Sequence, residues 1–163
     1  MKSFTLLEVI LAITILTLAV GGSFILIQQT IGSVAQVQSR LIASYLLQEG
    51  MEIIKNIRDS NWLKGNDFDA GLDVVGDWEI DYDDTALSAF IGNGRYLYID
   101  GTNGFYTYPD FPGYSDIQTK FKRKITISEE KPDRLKVSVE VFWETKGKIY
   151  SIKSQEFLYN WNK

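Results

Sequence analysis

A run of 31 residues without a charged side chain, residues 9–39, constrains this 163-residue chain more than any other feature. Its most apolar part, residues 9–27, would form a helix about 28 Å long, close to the roughly 30 Å thickness of a bilayer's hydrocarbon core. Every charged residue except Lys2 and Glu8 lies beyond the run. We therefore expect a membrane-spanning helix rather than a soluble monomer.

The residues that flank the apolar run set its expected orientation. Lys2 lies on the short side, and the cytoplasmic ends of membrane helices favour Lys and Arg. We therefore expect the N-terminus in the cytoplasm and the residues after Arg40 outside. A conventional secretory signal has a shorter apolar core and a small residue after it, whereas here the small residue Ser3 comes before the core. The pattern favours a single-pass protein of the cytoplasmic membrane.

Missing residue types exclude several classes of chemistry. The chain has no His and no Cys, which excludes Ser-His-Asp and Cys-His catalysis, imidazole or thiolate metal sites, and disulfides. A net charge of −4 is unfavourable for a surface that binds nucleic acid through its phosphates. We expect a protein that is not an enzyme, holds no cofactor and binds no nucleic acid. The composition does not exclude a site for a cation with oxygen ligands, such as calcium.

Glu8 is anomalous because it lies at the edge of the apolar run. A charged side chain at the centre of a membrane helix costs about 2.5 to 3.5 kcal/mol, and less near its edge. Two interpretations are open: an interfacial side chain that reaches headgroup water, or a carboxylate with a dedicated charge partner. A cut between Ser3 and Phe4 would create such a partner, because the new amine of Phe4 would lie about one helical turn from Glu8.

Residues 4–10 read Phe-Thr-Leu-Leu-Glu-Val-Ile and lead directly into the long apolar stretch. Up to residue 27 the chain closely resembles the processing site of type IV prepilins and of the pseudopilins of type II secretion. The resemblance implies that a membrane peptidase cuts between Ser3 and Phe4 and methylates the new amine of Phe4. It also implies that Glu8 guides subunit assembly. Ser3 stands where that family normally has glycine.

The same resemblance implies a structural subunit, a minor pilin or pseudopilin, of a type IV pilus-like filament. Its implied partners are the prepilin peptidase and methyltransferase, other pilin subunits, the inner-membrane assembly platform and membrane lipid. The precursor would lie in the inner membrane, and the assembled filament would be extracellular or periplasmic. The alternative is a membrane-anchored extracytoplasmic binding domain or enzyme with an uncleaved signal anchor, in which carboxylates such as Glu79 and Asp83 would serve a glycosidase.

The helical pattern continues past the apolar run. Apolar residues recur at helical spacing, with polar residues on the opposite side, at Ile42, Tyr45, Leu46, Ile53 and Ile57. Because no proline lies between residues 5 and 58, we expect one long helix that ends near residues 59–61. We divide the chain into a leader (1–3), a transmembrane and assembly helix (4–39), an amphipathic half of the helix (40–62) and a globular head (63–163).

The head has two regions of different character. Residues 65–116 carry 11 acidic residues and one basic residue, which is typical of acidic loops, with short strands expected at 78–82, 95–99 and 105–108. Residues 120–161 contain three alternating apolar and polar runs, at 121–128, 135–143 and 149–159, which predict an antiparallel meander. We therefore expect an α+β, pilin-like fold in which a small antiparallel sheet packs on the long helix.

Two groups of aspartates in the acidic region are candidate calcium ligands. They are Asp67, Asp69, Asp73 and Asp77, and Asp81, Asp83 and Asp84. Neither group matches the EF-hand loop, so solvated acidic loops are favoured over a calcium site. Aromatic residues make up 13% of the chain, and we expect them in the core of the head rather than on an adhesive surface.

Overall fold

A computed structural model describes residues 5–109, 112–113, 115–131 and 133–161. The chain divides into two compact units, Met1–Ser39 and Arg40–Lys163. The described residues form one helix, α1, over Leu6–Leu63, and eight strands. The strands are β1 (Gly76–Glu79), β2 (Ser88–Ala89), β3 (Tyr98–Ile99), β4 (Tyr106–Thr107), β5 (Ile117–Gln118), β6 (Phe121–Lys131), β7 (Arg134–Thr145) and β8 (Lys148–Tyr159). The expected α+β class, with one long helix and an antiparallel sheet, is confirmed.

The first unit consists of the apolar part of α1. Its hydroxyl side chains donate back to carbonyls one turn earlier, as Thr14 does to Ile10 and Thr30 to Leu26, each at 2.8 Å. These bonds satisfy polar groups that lipid cannot satisfy. An 18-residue window of the helix is long and apolar enough to cross a membrane, and none of it is buried. The structure is therefore compatible with a single-pass membrane anchor.

The second unit begins with the remainder of α1, which packs against the sheet. The buried positions recur every three or four residues, at Ala43, Leu46, Gly50, Met51 and Ile54. The expectation that Tyr45 belongs to the buried side is wrong, because its side chain is 64% exposed. The contact face instead follows the small residues Ala43 and Gly50, which let the helix approach the strands closely. The helix ends at Leu63, slightly beyond the predicted end.

The main sheet has five strands in the order β2-β1-β6-β7-β8, all antiparallel. Strands β6, β7 and β8 form the predicted meander, and the apolar positions of β7 from Leu135 to Trp143 face the core as expected. Strand β1 joins β6 with Gly76 opposite Ile127. A separate three-stranded sheet, β4-β3-β5, lies within the acidic region. The two-residue strands β2 and β5 were not expected, because they are too short to show alternation.

Two clusters of buried side chains form the core of the second unit. One surrounds Ile54 and Ile125, and the other contains Leu46, Phe121 and Trp143. Aromatic residues contribute to the core as expected, although several of them, such as Phe105, are exposed.

The close approach at Gly50 generates a stability prediction. A Cβ atom at this position would lie 2.9 Å from Cδ of Arg123 and 3.2 Å from Cγ1 of Val139. We expect Gly50→Leu to lower the free energy of unfolding of the head by about 1 to 3 kcal/mol, because it overpacks the core. The matched control is Gly32→Leu, since nothing lies within 4 Å of that helical glycine. Tryptophan fluorescence during urea unfolding reports on the head alone, because all four tryptophans follow residue 61. Equal unfolding midpoints for both variants would contradict the prediction.

Candidate functional site

The candidate site at the N-terminal end of α1 is organised by a helix cap. The backbone N–H of Glu8 donates to the hydroxyl of Thr5 at 3.3 Å and to its carbonyl at 3.1 Å. Thr5 therefore occupies the N-cap position and Glu8 the third helical position, which is the Thr-x-x-Glu pattern of a capping box. The negative charge of Glu8 also lies in the first turn, where the helix dipole favours it. Sequence reasoning missed this cap, although the spacing of the two residues signals it.

The proposed processing residues Ser3 and Phe4 lie outside the described residues. Glu8 is exposed, and within the described part of the chain its carboxylate forms no ion pair. Any charge partner of Glu8 must therefore come from the undescribed residues, from solvent or headgroups, or from another molecule.

A continuous apolar surface follows Glu8 along the helix. Its large side chains are more than half exposed at most positions, as at Leu16, Phe24 and Val37. Full burial of one such side chain is worth about 1.5 to 3 kcal/mol, so this surface is costly in water. The surface is therefore compatible with a membrane-spanning segment.

The calcium candidates do not assemble into a metal site. No group of three or more His, Cys, Asp or Glu side chains within the described ranges is placed to hold a metal ion. Asp81 is buried, and its carboxylate accepts hydrogen bonds from the backbone of Tyr82 and from the backbone of Tyr108, at 2.7 and 2.8 Å, and from the hydroxyl of Thr107.

Most of the remaining candidates belong to turns and loops. Backbone carbonyls of Asp67 and Asp69 accept turn hydrogen bonds at 3.0 and 2.7 Å. Asp73 and Asp83 are exposed to solvent. This arrangement supports the interpretation of these residues as solvated acidic loops.

A buried arginine in the head is the charged group that sequence reasoning missed. The side chain of Arg123 on β6 is 0% exposed. Its Nη1 donates to the carbonyl of Leu46 at 3.0 Å and to Oε1 of Glu49 at 2.8 Å, and its Nη2 donates to the carbonyl of Ile80 at 2.7 Å. Its Nε has no acceptor among the described atoms. The signal was a basic residue at an inward-facing position, between Phe121 and Ile125.

A second ion pair, with a buried carboxylate and a half-exposed guanidinium, lies beside Arg123. Glu79 is buried, and its two carboxylate oxygens accept 2.8 Å hydrogen bonds from the backbone N–H and from Nε of Arg95. The guanidinium of Arg95 lies 4.9 Å from the ring centre of Tyr108. Arg95 thus engages both oxygens of Glu79, one of the two carboxylates named for the alternative glycosidase function.

Tyr108 connects these groups through its hydroxyl. The hydroxyl accepts from the backbone N–H of Arg123 at 3.3 Å and donates to its carbonyl at 3.2 Å. Burial raises the pKa of Tyr108 to about 12. The groups around Arg123 and Tyr108 thus tie α1, β6 and the acidic loops together.

Comparison with protein families, curated proteins and solved structures finds no match to this chain. The functional argument therefore depends on the chain's own residues.

The raised pKa of Tyr108 predicts a pH dependence of stability. The folded-state pKa is about 12 and the unfolded value is about 10, so this stabilisation is complete below pH 10 and is lost as the pH rises to 12. We expect the wild type to lose about 2 to 3 kcal/mol more than Tyr108→Phe across this range. Urea unfolding followed by tryptophan fluorescence measures the difference. Tyr45→Phe is the control, because this exposed tyrosine should leave the alkaline loss unchanged. If wild type and Tyr108→Phe lose the same free energy of unfolding between pH 10 and pH 12, the buried Tyr108 hydroxyl is not the source of this pH dependence.

Proposed function

We propose that this chain is a structural subunit, a minor pilin or pseudopilin, of a type IV pilus-like filament. The observation that carries the proposal is the apolar surface of α1, which is unburied in the single chain and begins beside one acidic residue, Glu8. The α+β head supports it, since a long N-terminal helix that packs on a small antiparallel sheet suits a structural subunit. The resemblance of residues 4–10 to prepilin processing sites is the reason for proposing the type IV pilin and pseudopilin family.

The precursor lies in the inner membrane as a single-pass protein, with its N-terminus in the cytoplasm and its head outside. A prepilin peptidase cuts between Ser3 and Phe4 and methylates the new amine of Phe4. The assembly platform then transfers the subunit from lipid to a growing filament that is periplasmic or extracellular.

Transfer out of the bilayer is feasible only if another apolar surface receives α1. A bundle of identical helices provides that surface, because each helix presents the same exposed Leu, Ile and Val side chains. The carboxylate of Glu8 pairs with the amine of Phe4 of a neighbouring subunit. A subunit in the wrong register leaves both charges unpaired, so the pair selects the axial register of assembly.

Processing predicts the mature N-terminus. Mass spectrometry of the protein from its native cell should show a chain that begins at N-methylated Phe4. Ser3→Gly should be cut at the same bond, as fast as the wild type or faster, because it places the family's usual residue before the cut. An intact Met1 on protein that never enters filaments would support the uncleaved signal anchor instead.

The two possible roles of Glu8, capping and charge pairing, are separable by mutation. Glu8→Gln keeps a side chain suited to the capping box but removes the charge, and we expect its incorporation into wild-type filaments to fall roughly tenfold, equivalent to about 1.4 kcal/mol. Thr5→Ala removes a cap worth about 1 kcal/mol but keeps the charge, so incorporation should stay close to that of wild type.

Quantitative immunoblotting of sheared filaments measures incorporation, and blotting of whole membranes corrects for the amount of each variant. Normal incorporation of Glu8→Gln together with poor incorporation of Thr5→Ala would assign Glu8 to capping and remove the charge pair from the proposal.

A further inference from the structure

A basic groove runs along the outer face of the main sheet, on the side opposite the core. It has a volume of about 510 Å³, and we call it the lysine groove. Strand β6 alternates, so that Arg123 and Ile125 point to the core while its lysines point outward. Its lining includes three lysines, Lys120, Lys122 and Lys124, one acidic residue, Glu144, and the aromatic residues Phe90, Tyr96 and Phe142.

The lysines of the groove are held against aromatic rings. Nζ of Lys122 lies 4.3 Å from the ring centre of Tyr96 and donates to the carbonyl of Asn93 at 3.1 Å. Nζ of Lys124 lies 3.4 Å from Oδ2 of Asp77. No carboxylate in the described part of the chain forms an ion pair with Lys122. The groove therefore suits an occupant that combines negative charge with apolar side chains.

The chain itself contains such a segment, residues 73–75, which we call the acidic tip. Its sequence is Asp-Val-Val, and the side chains of Val74 and Val75 are 53% and 60% exposed. Asp73 is also exposed and has no ion pair among the described residues. Opposite charges also dominate the two regions: residues 65–116 carry 11 acidic residues and one basic residue, whereas residues 117–163 carry 11 basic and 6 acidic residues.

The register of the sheet separates the acidic tip from the lysine groove. The tip ends where Gly76 pairs with Ile127, and Lys122 lies five residues earlier on the same strand, about 16 Å away. A chain therefore does not fill its own groove with its own tip. Complementary patches at opposite ends of one sheet suit a head-to-tail contact between copies, which gives a ring when it closes and an open filament when it does not.

We infer that the acidic tip of one copy docks in the lysine groove of the next copy. The inference rests on the proposed filament function, which brings copies together. Exposed ion pairs are worth about 0.2 to 1 kcal/mol each, so this contact selects the neighbour and its orientation, while the apolar helices hold the copies together.

Disulfide crosslinking of the full-length chain in its native membrane tests the contact, because the natural chain has no cysteine. Val74→Cys and Asn93→Cys in one chain place thiols in the tip and on the groove wall. Mild oxidation should give a ladder of linked trimers and longer species on a non-reducing gel. A single-cysteine variant stops at dimers, and the control pair Asp83→Cys with Asn93→Cys should give no ladder.

Charge reversal in the Val74→Cys, Asn93→Cys background tests the specificity of the contact. Lys122→Glu and Asp73→Lys should each reduce the fraction in the ladder roughly fivefold, because each replaces attraction by repulsion. An equal mixture of the two variants should restore the ladder, since each tip then meets a groove of opposite charge. The matched control is Lys153→Glu, which lies on β8 outside the groove and should leave the ladder unchanged.

A cysteine on the apolar surface of α1 distinguishes failure of this inference from failure of the proposed function. Leu16→Cys alone lies on the apolar surface of α1 and should give dimers wherever the helices bundle. Dimers through Leu16→Cys without a tip-to-groove ladder overturn the docking contact and leave the filament proposal standing. Absence of both products overturns the filament proposal and the contact with it. A ladder that the mixture of charge variants does not restore also overturns the contact, and favours a soluble anionic ligand for the groove.

Discussion

The head depends on the enclosure of one guanidinium group. Arg123 is fully buried and donates to the carbonyl of Leu46 and the carboxylate of Glu49, both on α1, and to the carbonyl of Ile80 after β1. An uncompensated buried charge costs several kcal/mol, so α1, β6 and the segment after β1 are stable only when all of them are in place. Gly50 makes the enclosure feasible, because any larger residue would meet the arginine side chain.

The head and the apolar part of α1 are stable in different surroundings. The head pairs its buried charged groups Arg123 and Glu79 internally and presents lysines and aspartates to water. The apolar part of α1 has no core of its own, and its side chains lose free energy in water at about 25 cal/mol per Å² of exposed apolar area. Under the proposed filament function, lipid surrounds this part in the precursor and the apolar helices of neighbouring subunits replace lipid in the filament. Both parts of the chain would then be satisfied outside the bilayer.

The sequence predicts those parts of the fold in which one physical effect dominates. Strict alternation over residues 135–143 predicts a half-buried strand, because only the period-two pattern buries all its apolar side chains. At the helix-to-sheet contact, side-chain size is a poor guide to which residues are buried. Tyr45 is exposed while Ala43 and Gly50 are buried, because the close approach of helix and strand backbones matters more there than apolar area. Arg123 escapes prediction because its burial depends on acceptors from segments distant in sequence.

The sequence marks Glu8 as a candidate site residue, because a carboxylate is costly beside an apolar run. Its local geometry adds a second reason for its position. The first turn of a membrane helix has backbone N–H groups without partners, and lipid offers none. Thr5 satisfies one of them, and the helix dipole lowers the cost of the nearby negative charge. Neither effect neutralises that charge. The cap therefore leaves the Glu8 carboxylate able to form the charge pair that the proposed filament function requires.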